Sequence, residues 1–192
     1  MSVGITFEEM LVWNNQASDY WKAHLDANPN LLDLPCGIGG AKNVQELVRH
    51  IWGAELRWAQ RLAAVPETPR DQVPAGPLDA LFDLHLQAVA IFRKLLSAPE
   101  STWSDPYILN FDWIPPEERS VSRRKITAHA LFHGQRHWAQ LATLLRNAGF
   151  PSDFRGDLLF NPALPYFPAQ WTGLLPAFGN MRGKAPACLE SA

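Results

Sequence analysis

The chain is 192 residues long, 47% apolar and 19% charged, with a formal net charge of −2. That length and balance suit one globular domain, or one domain with an appendage, and the mixed charge without a Lys/Arg run excludes nucleic acid as an expected partner. No stretch reaches the ~18 uninterrupted apolar residues of a membrane span, and the opening MSVGITFEEM lacks a basic region followed by an apolar one, so the expectation is a cytoplasmic chain with no membrane partner and no signal peptide.

The first helical pattern runs from Thr6 to Asn28. Phe7, Met10, Leu11, Asn14, Ala17, Trp21 and Leu25 recur every three to four residues, and Thr6 followed by Glu8 and Glu9 suits a helix start. Asn14 is polar within that stripe; local hydrogen bonding and pocket lining both stay open for it. Pro29 ends the helix, and Leu31 to Lys42, with Pro35-Cys36-Gly37 and Gly39-Gly40, reads as a connection.

Asn43 caps the second helix, NVQELVRHIWGAELRWAQRL, with Glu46 three residues on. Val44, Leu47, Val48, Ile51, Trp58 and Leu62 make its buried arc. His50 lies at the edge of that arc. Gly53 and Ala54, stacked above it, are expected to leave room for an ion or ligand beside the imidazole. Val65 to Gly76 is a loop, and Pro77 to Ala98 is a third helix whose inward face includes His85, a hydrogen-bonding group of the core or of the site's surroundings. Glu100 to Ser122 is a long proline- and aromatic-rich connection, with a short strand expected at Ile108 to Trp113. A connection of that length suits a lid or pocket wall as well as a simple cover.

The most informative stretch is Ile126 to Phe150, ITAHALFHGQRHWAQLATLLRNAGF. It has no internal proline, and Gly149 then Pro151 stop it; the basic cluster Arg119, Arg123, Arg124 and Lys125 solvates its start. His129, His133 and His137 fall on the side that carries Ile126, Ala130, Leu141 and Leu144, the face expected to turn into the core. Burying unpaired imidazoles costs about 1–3 kcal/mol each. A metal ion would satisfy them, because histidines four apart on one helical face can share an ion.

Pro151 to Ala192 is rich in proline and aromatic residues (Phe154, Phe160, Tyr166, Phe167, Trp171, Phe178) and too apolar for a free linker. At least Phe154 to Trp171 is expected to wrap over the bundle or a neighbouring subunit, with residues from Met181 on frayed. Cys36 and Cys188 sit in unlike contexts and are expected to stay thiols.

Four amphipathic helices predict an all-α four-helix bundle, residues 1–150, followed by an extension, residues 151–192. In such a bundle His50 can meet His133 and His137. Three imidazoles leave one position of a tetrahedral metal free, a catalytic rather than a structural arrangement, and nitrogen ligands suit zinc, nickel, copper or iron. A metalloprotease signature needs glutamate directly after the first histidine, and Gly134 stands after His133. The Glu-x-x-His pair of di-iron bundles is absent too.

With VRHIWGAELRWAQRL (Val48 to Leu62) and HALFHGQRHWAQLATLLRNAG (His129 to Gly149), the chain resembles the DinB/YfiT superfamily of metal-dependent enzymes. These are four-helix bundles that bind one divalent metal through three histidines. The resemblance puts the metal ligands on His50, His133 and His137, and Gln140 at the position of a glutamine that commonly follows. His129 matches a histidine often found one turn earlier that is not usually a ligand. It covers Thr6 to Gly149. Trp138-Ala139 departs from the Arg-Gly that members often carry, which puts in doubt any role that arginine has in holding substrate.

The resemblance implies one divalent ion, zinc or nickel first and iron after them. It also implies a low-molecular-weight thiol such as bacillithiol, mycothiol or glutathione as co-substrate, and transfer of its sulfur to a small electrophilic substrate. Gln140 would orient a ligand histidine or bound water, and His85 or Asn14 would shape the pocket. One alternative is a metal-dependent hydrolase, which needs a base; Glu55, five residues past His50, points about 140° away from it. Another is a non-catalytic, metal-stabilised interaction module. The apolar extension implies a homodimer.

Overall fold

The structure, a computed structural model, describes residues 4–112 and 114–164. Four long helices, α1 (Phe7–Ala27), α2 (Val44–Leu62), α3 (Leu78–Leu96) and α5 (Arg123–Asn147), form an all-α bundle. A short helix, α4 (Glu100–Ser104), precedes the last of them. Helices α1 and α2 each pack against both α3 and α5, so they occupy opposite corners.

The helix ends follow the capping chemistry of the sequence. Thr6 closes a full capping box: its hydroxyl accepts from the Glu9 amide, and the Glu9 carboxylate accepts from the Thr6 amide at 2.7 Å. Asn43 accepts from the Glu46 amide at 2.9 Å. Helix α5 begins at Arg123, three residues before the expected Ile126, because Ser122 accepts from the Lys125 amide and caps it there. It ends where Gly149 takes φ 88°, which lets the Phe150 amide reach back to the Leu145 carbonyl at 2.8 Å.

Three fully buried tryptophans fill the centre. Trp21 of α1 stacks on Trp138 of α5 at 5.7 Å, and Trp52 of α2 meets Trp138 edge-on at 5.6 Å. Each buries a large apolar surface and contributes roughly 2–3 kcal/mol or more. The indole of Trp52 donates to Ser18 at 3.1 Å, which ties opposite corners together.

The expected strand at Ile108 to Trp113 is displaced. Strand β1 is Pro106–Ile108, paired antiparallel with β2, Ser120–Ser122, in the register Tyr107↔Val121. Pairing decides its place: β2 is only three residues long, and beyond Leu109, whose amide still donates to the Arg119 carbonyl, the chain turns away toward Pro115 and Pro116. Trp113 lies outside the described residues.

The start of the C-terminal segment packs on α1. Phe154 touches Tyr20 and Trp21 at 5.3 and 5.1 Å, Tyr20 donates to Asp153 at 2.6 Å, and buried Asn161 donates to the Glu9 carbonyl at 3.0 Å. Tyr166, Phe167, Trp171, Phe178 and Cys188 lie outside the described residues. Cys36 is buried as a free thiol. Among the described residues no helix is long and apolar enough to cross a membrane.

Candidate metal centre

Helices α2 and α5 face each other, and this brings His50 to the imidazoles of His133 and His137. The ring centroids lie 5.0 Å apart for His50–His133 and His50–His137, and 4.6 Å apart for His133–His137. One nitrogen from each ring lies within 4.8 Å of the others, close enough for one ion to touch all three. Among the described residues no carboxylate or thiol belongs to this group. The α5 face is graded rather than wholly buried: His137 is buried, His133 half-buried, and His129, expected to turn inward, is exposed.

The protonation state suits ligation. Burial, then the charges of His137, Arg57, Arg70 and Arg136, push His50 down to about 4. Burial, then the neighbouring imidazoles and Arg136, push His133 down to about 3. His137 is also lowered, by burial first, against an opposing hydrogen bond from Gln140. The three rings are therefore neutral near pH 7, the form that offers a lone pair to a metal.

Two contacts on His137 fix its tautomer. Nδ1 lies 2.8 Å from the Gln140 carbonyl oxygen, and Nε2 lies 3.1 Å from an Arg136 guanidinium nitrogen. Gln140 Oε1 can only accept and guanidinium can only donate, so Nδ1 carries the proton and Nε2 presents its lone pair. This is the arrangement in which a polar partner orients a metal-binding imidazole. The donor set and its protonation therefore fit a divalent ion.

The other expected residues divide between two places. His129 packs its ring on His133 at 5.8 Å and on Trp58 at 5.3 Å. It walls a cavity of about 300 Å³ lined also by Leu109, Ile114, Val121 and Ile126. Asn14 and His85 both bond buried Glu55: the Asn14 amide donates to Oε1 at 2.7 Å, and His85 Nδ1 lies 2.9 Å from Oε2. Gly53, expected to leave space beside His50, has that space filled instead by Val73 and the Arg57 guanidinium, which lie 3.1 and 3.4 Å from where a Cβ would stand.

The sequence pattern does not single out Arg57, Arg70 or Arg136. The available signals were the position of Arg57 two helical turns after His50, and that of Arg136 directly before His137. Gly39, in a loop without periodicity, is another such residue. At φ 61° its Cβ position lies 3.5 Å from the His137 ring and 3.9 Å from the His50 ring, so its backbone covers both imidazoles.

Fold and site together define a helical bundle with an open three-imidazole group between its second and last long helices. The sequence profile of the DinB family matches residues 1–155, and the chain belongs to the DinB family. No curated protein matches the chain.

Proposed function

We propose that this protein is a divalent-metal-dependent transferase that uses His50, His133 and His137 as ligands and a low-molecular-weight thiol as co-substrate against a small electrophile. The observation that carries it is the cluster of three neutral imidazoles, which no carboxylate joins among the described residues. A divalent ion, zinc or nickel in the first instance, supplies when bound a positive centre that lowers the pKa of a thiol or water at its remaining position. Gln140 holds the His137 proton at Nδ1 and so aims Nε2 at the centre. Arg136 donates to that lone pair, and a divalent ion held at Nε2 would take its place. The apolar cavity beside His129 suits the body of an electrophile.

A hydrolase built on the same ligands would need a base to take a proton from water. Glu55, the first acidic residue after His50 on α2, is buried and engaged by Asn14 and His85. The charges acting on the three imidazoles are cations and one another. A thiol, more acidic than water, needs less help, which favours sulfur transfer. The proposal includes a catalytic bundle at residues 1–150, an extension at 151–192 and a cytoplasmic homodimer formed through that extension; the support for the dimer is the extension's apolar content.

The test is elemental analysis of purified protein beside His50→Ala and a His133→Ala/His137→Ala double variant, followed by thiol-consumption assays with small electrophiles. About one equivalent of metal, lost in both variants while the helical circular dichroism persists, and thiol consumption that depends on it, are expected. A wild-type protein that takes up no metal on titration would sink the proposal. Metal uptake without consumption of any of the three thiols would leave the metal centre standing and remove the transferase.

A further inference from the structure

Beside His50 lies a second cavity of about 370 Å³, walled by Lys42, Glu46, Arg49, His50, Arg57 and Arg70. Two of its cations, Arg49 and Arg57, are held in place by the fold. Arg49 does not point freely into solvent: its guanidinium donates to the carbonyls of Arg70, Val73 and Pro74 at 2.6–3.1 Å. That clamp ties the loop bearing Arg70 to α2. Arg57 is half-buried and lies over Gly53, which has no side chain to displace it.

The acidic groups nearby are otherwise engaged. Glu67 forms a two-pronged pair with Arg61, and Glu46 accepts from the Lys42 amide at 2.8 Å. Among the described residues no carboxylate forms an ion pair with Arg57 or Arg70. Burial first, and then the charges of Arg70 and Arg61, lower the Arg57 pKa, against an opposing pull from Glu67. The half-buried Arg57 guanidinium, with no carboxylate in ion-pair contact, carries a desolvation cost that an anion would offset, and exposed Arg70 shares its cavity. Planar guanidinium forks match the oxygens of a carboxylate or a phosphate.

We propose that this cavity is an oxyanion subsite: the small molecule handled at the three-histidine centre carries a carboxylate or phosphate that Arg57 and Arg70 hold. This rests on the metal-centre proposal for its function, but not for its binding chemistry. An anion there lies against His50, and so sets the reach and direction of the rest of the ligand toward the imidazoles. It also selects against uncharged molecules of the same size, which leave the guanidinium pair uncompensated.

The test is a ligand-observed NMR titration of the full-length protein with glutarate, inorganic phosphate and glutaramide, the neutral counterpart of glutarate. Glutarate or phosphate is expected to bind saturably, and glutaramide not to bind. Arg57→Gln and Arg70→Gln should each weaken anion binding about tenfold or more, with metal content unchanged and Arg57→Lys recovering part of the loss. Arg70 is exposed, so its variant retains the fold. The stronger of the two anions identifies the oxyanion. Absence of saturable binding by either, or binding that both glutamine variants leave intact, overturns the proposal. A protein that binds the anion but no metal would overturn the metal centre alone.

Discussion

His137 and Gln140 sit one turn apart on α5, with Nδ1 of the ring 2.8 Å from the amide oxygen. This bond keeps the proton on Nδ1 and leaves Nε2 as the nitrogen with a lone pair to offer. Gln140→Ala is therefore expected to weaken metal binding about 10–100-fold, the usual loss when the partner of a ligand imidazole is removed. Gln140 is exposed, so the fold should be unaffected. Competition against a chromophoric chelator measures the first, and a thermal melt the second. Unchanged metal affinity would show that His137 is oriented by packing alone.

Glu55 should behave as a structural residue. Its carboxylate joins α2 to Asn14 on α1 and His85 on α3, all three side chains being buried. Glu55→Ala leaves the Asn14 amide and the His85 ring without their partner and is expected to cost about 2–5 kcal/mol of stability. Glu55→Gln keeps an acceptor for one of them and should cost less. Denaturant unfolding gives both values. Metal stoichiometry should stay the same in Glu55→Gln; its loss would place the carboxylate in the metal chemistry instead.

What could be read from the sequence was what repeats or caps. Thr6, Asn43 and Gly149 mark helix ends through local chemistry, and the spacing of His133 and His137 follows from helical geometry alone. The approach of His50 depends on which helices are neighbours, and the family resemblance supplied that. Glu55 could be excluded from the His50 side by angle, but nothing local reveals that Asn14 and His85 converge on it from 41 and 30 residues away in sequence. Gly39 and Arg70 lie in loops without periodicity, so their place beside His50 emerges only once the chain is folded.

Gly39 offers a test of how closely the loop covers the site. Its φ of 61° is strained for a residue with a side chain, and its Cβ position already lies in contact with the His137 ring. Gly39→Val should cost about 1–2 kcal/mol from the left-handed backbone alone, and should weaken metal binding by pressing on the two rings. Gly37→Ala is the control, because φ there is −105° and nothing lies within 4 Å of its Cβ position. Equal melting temperatures and metal affinities in the two variants would mean that the loop does not bear on the imidazoles.

The depressed imidazoles predict how the metal-free protein responds to acid. His50 titrates near 4 and His133 near 3 in the folded chain, against about 6.5 when unfolded. Between those values the unfolded state binds more protons than the native one, so unfolding free energy falls as pH falls. The stabilising contribution of these neutral rings is complete above about pH 6.5 and is lost progressively toward pH 3–4. Partial solvent exposure of both rings reduces the size of the effect but not its sign. Thermal melts of chelator-treated protein from pH 7.5 to 4 should show the decline, and His50→Gln with His133→Gln should flatten it. A bound cation occupies the same nitrogens, so metal-loaded protein should melt higher at pH 7 and lose that advantage as protons displace the ion. If the metal-free melts do not depend on these two histidines, the rings are more open to water than their packing implies.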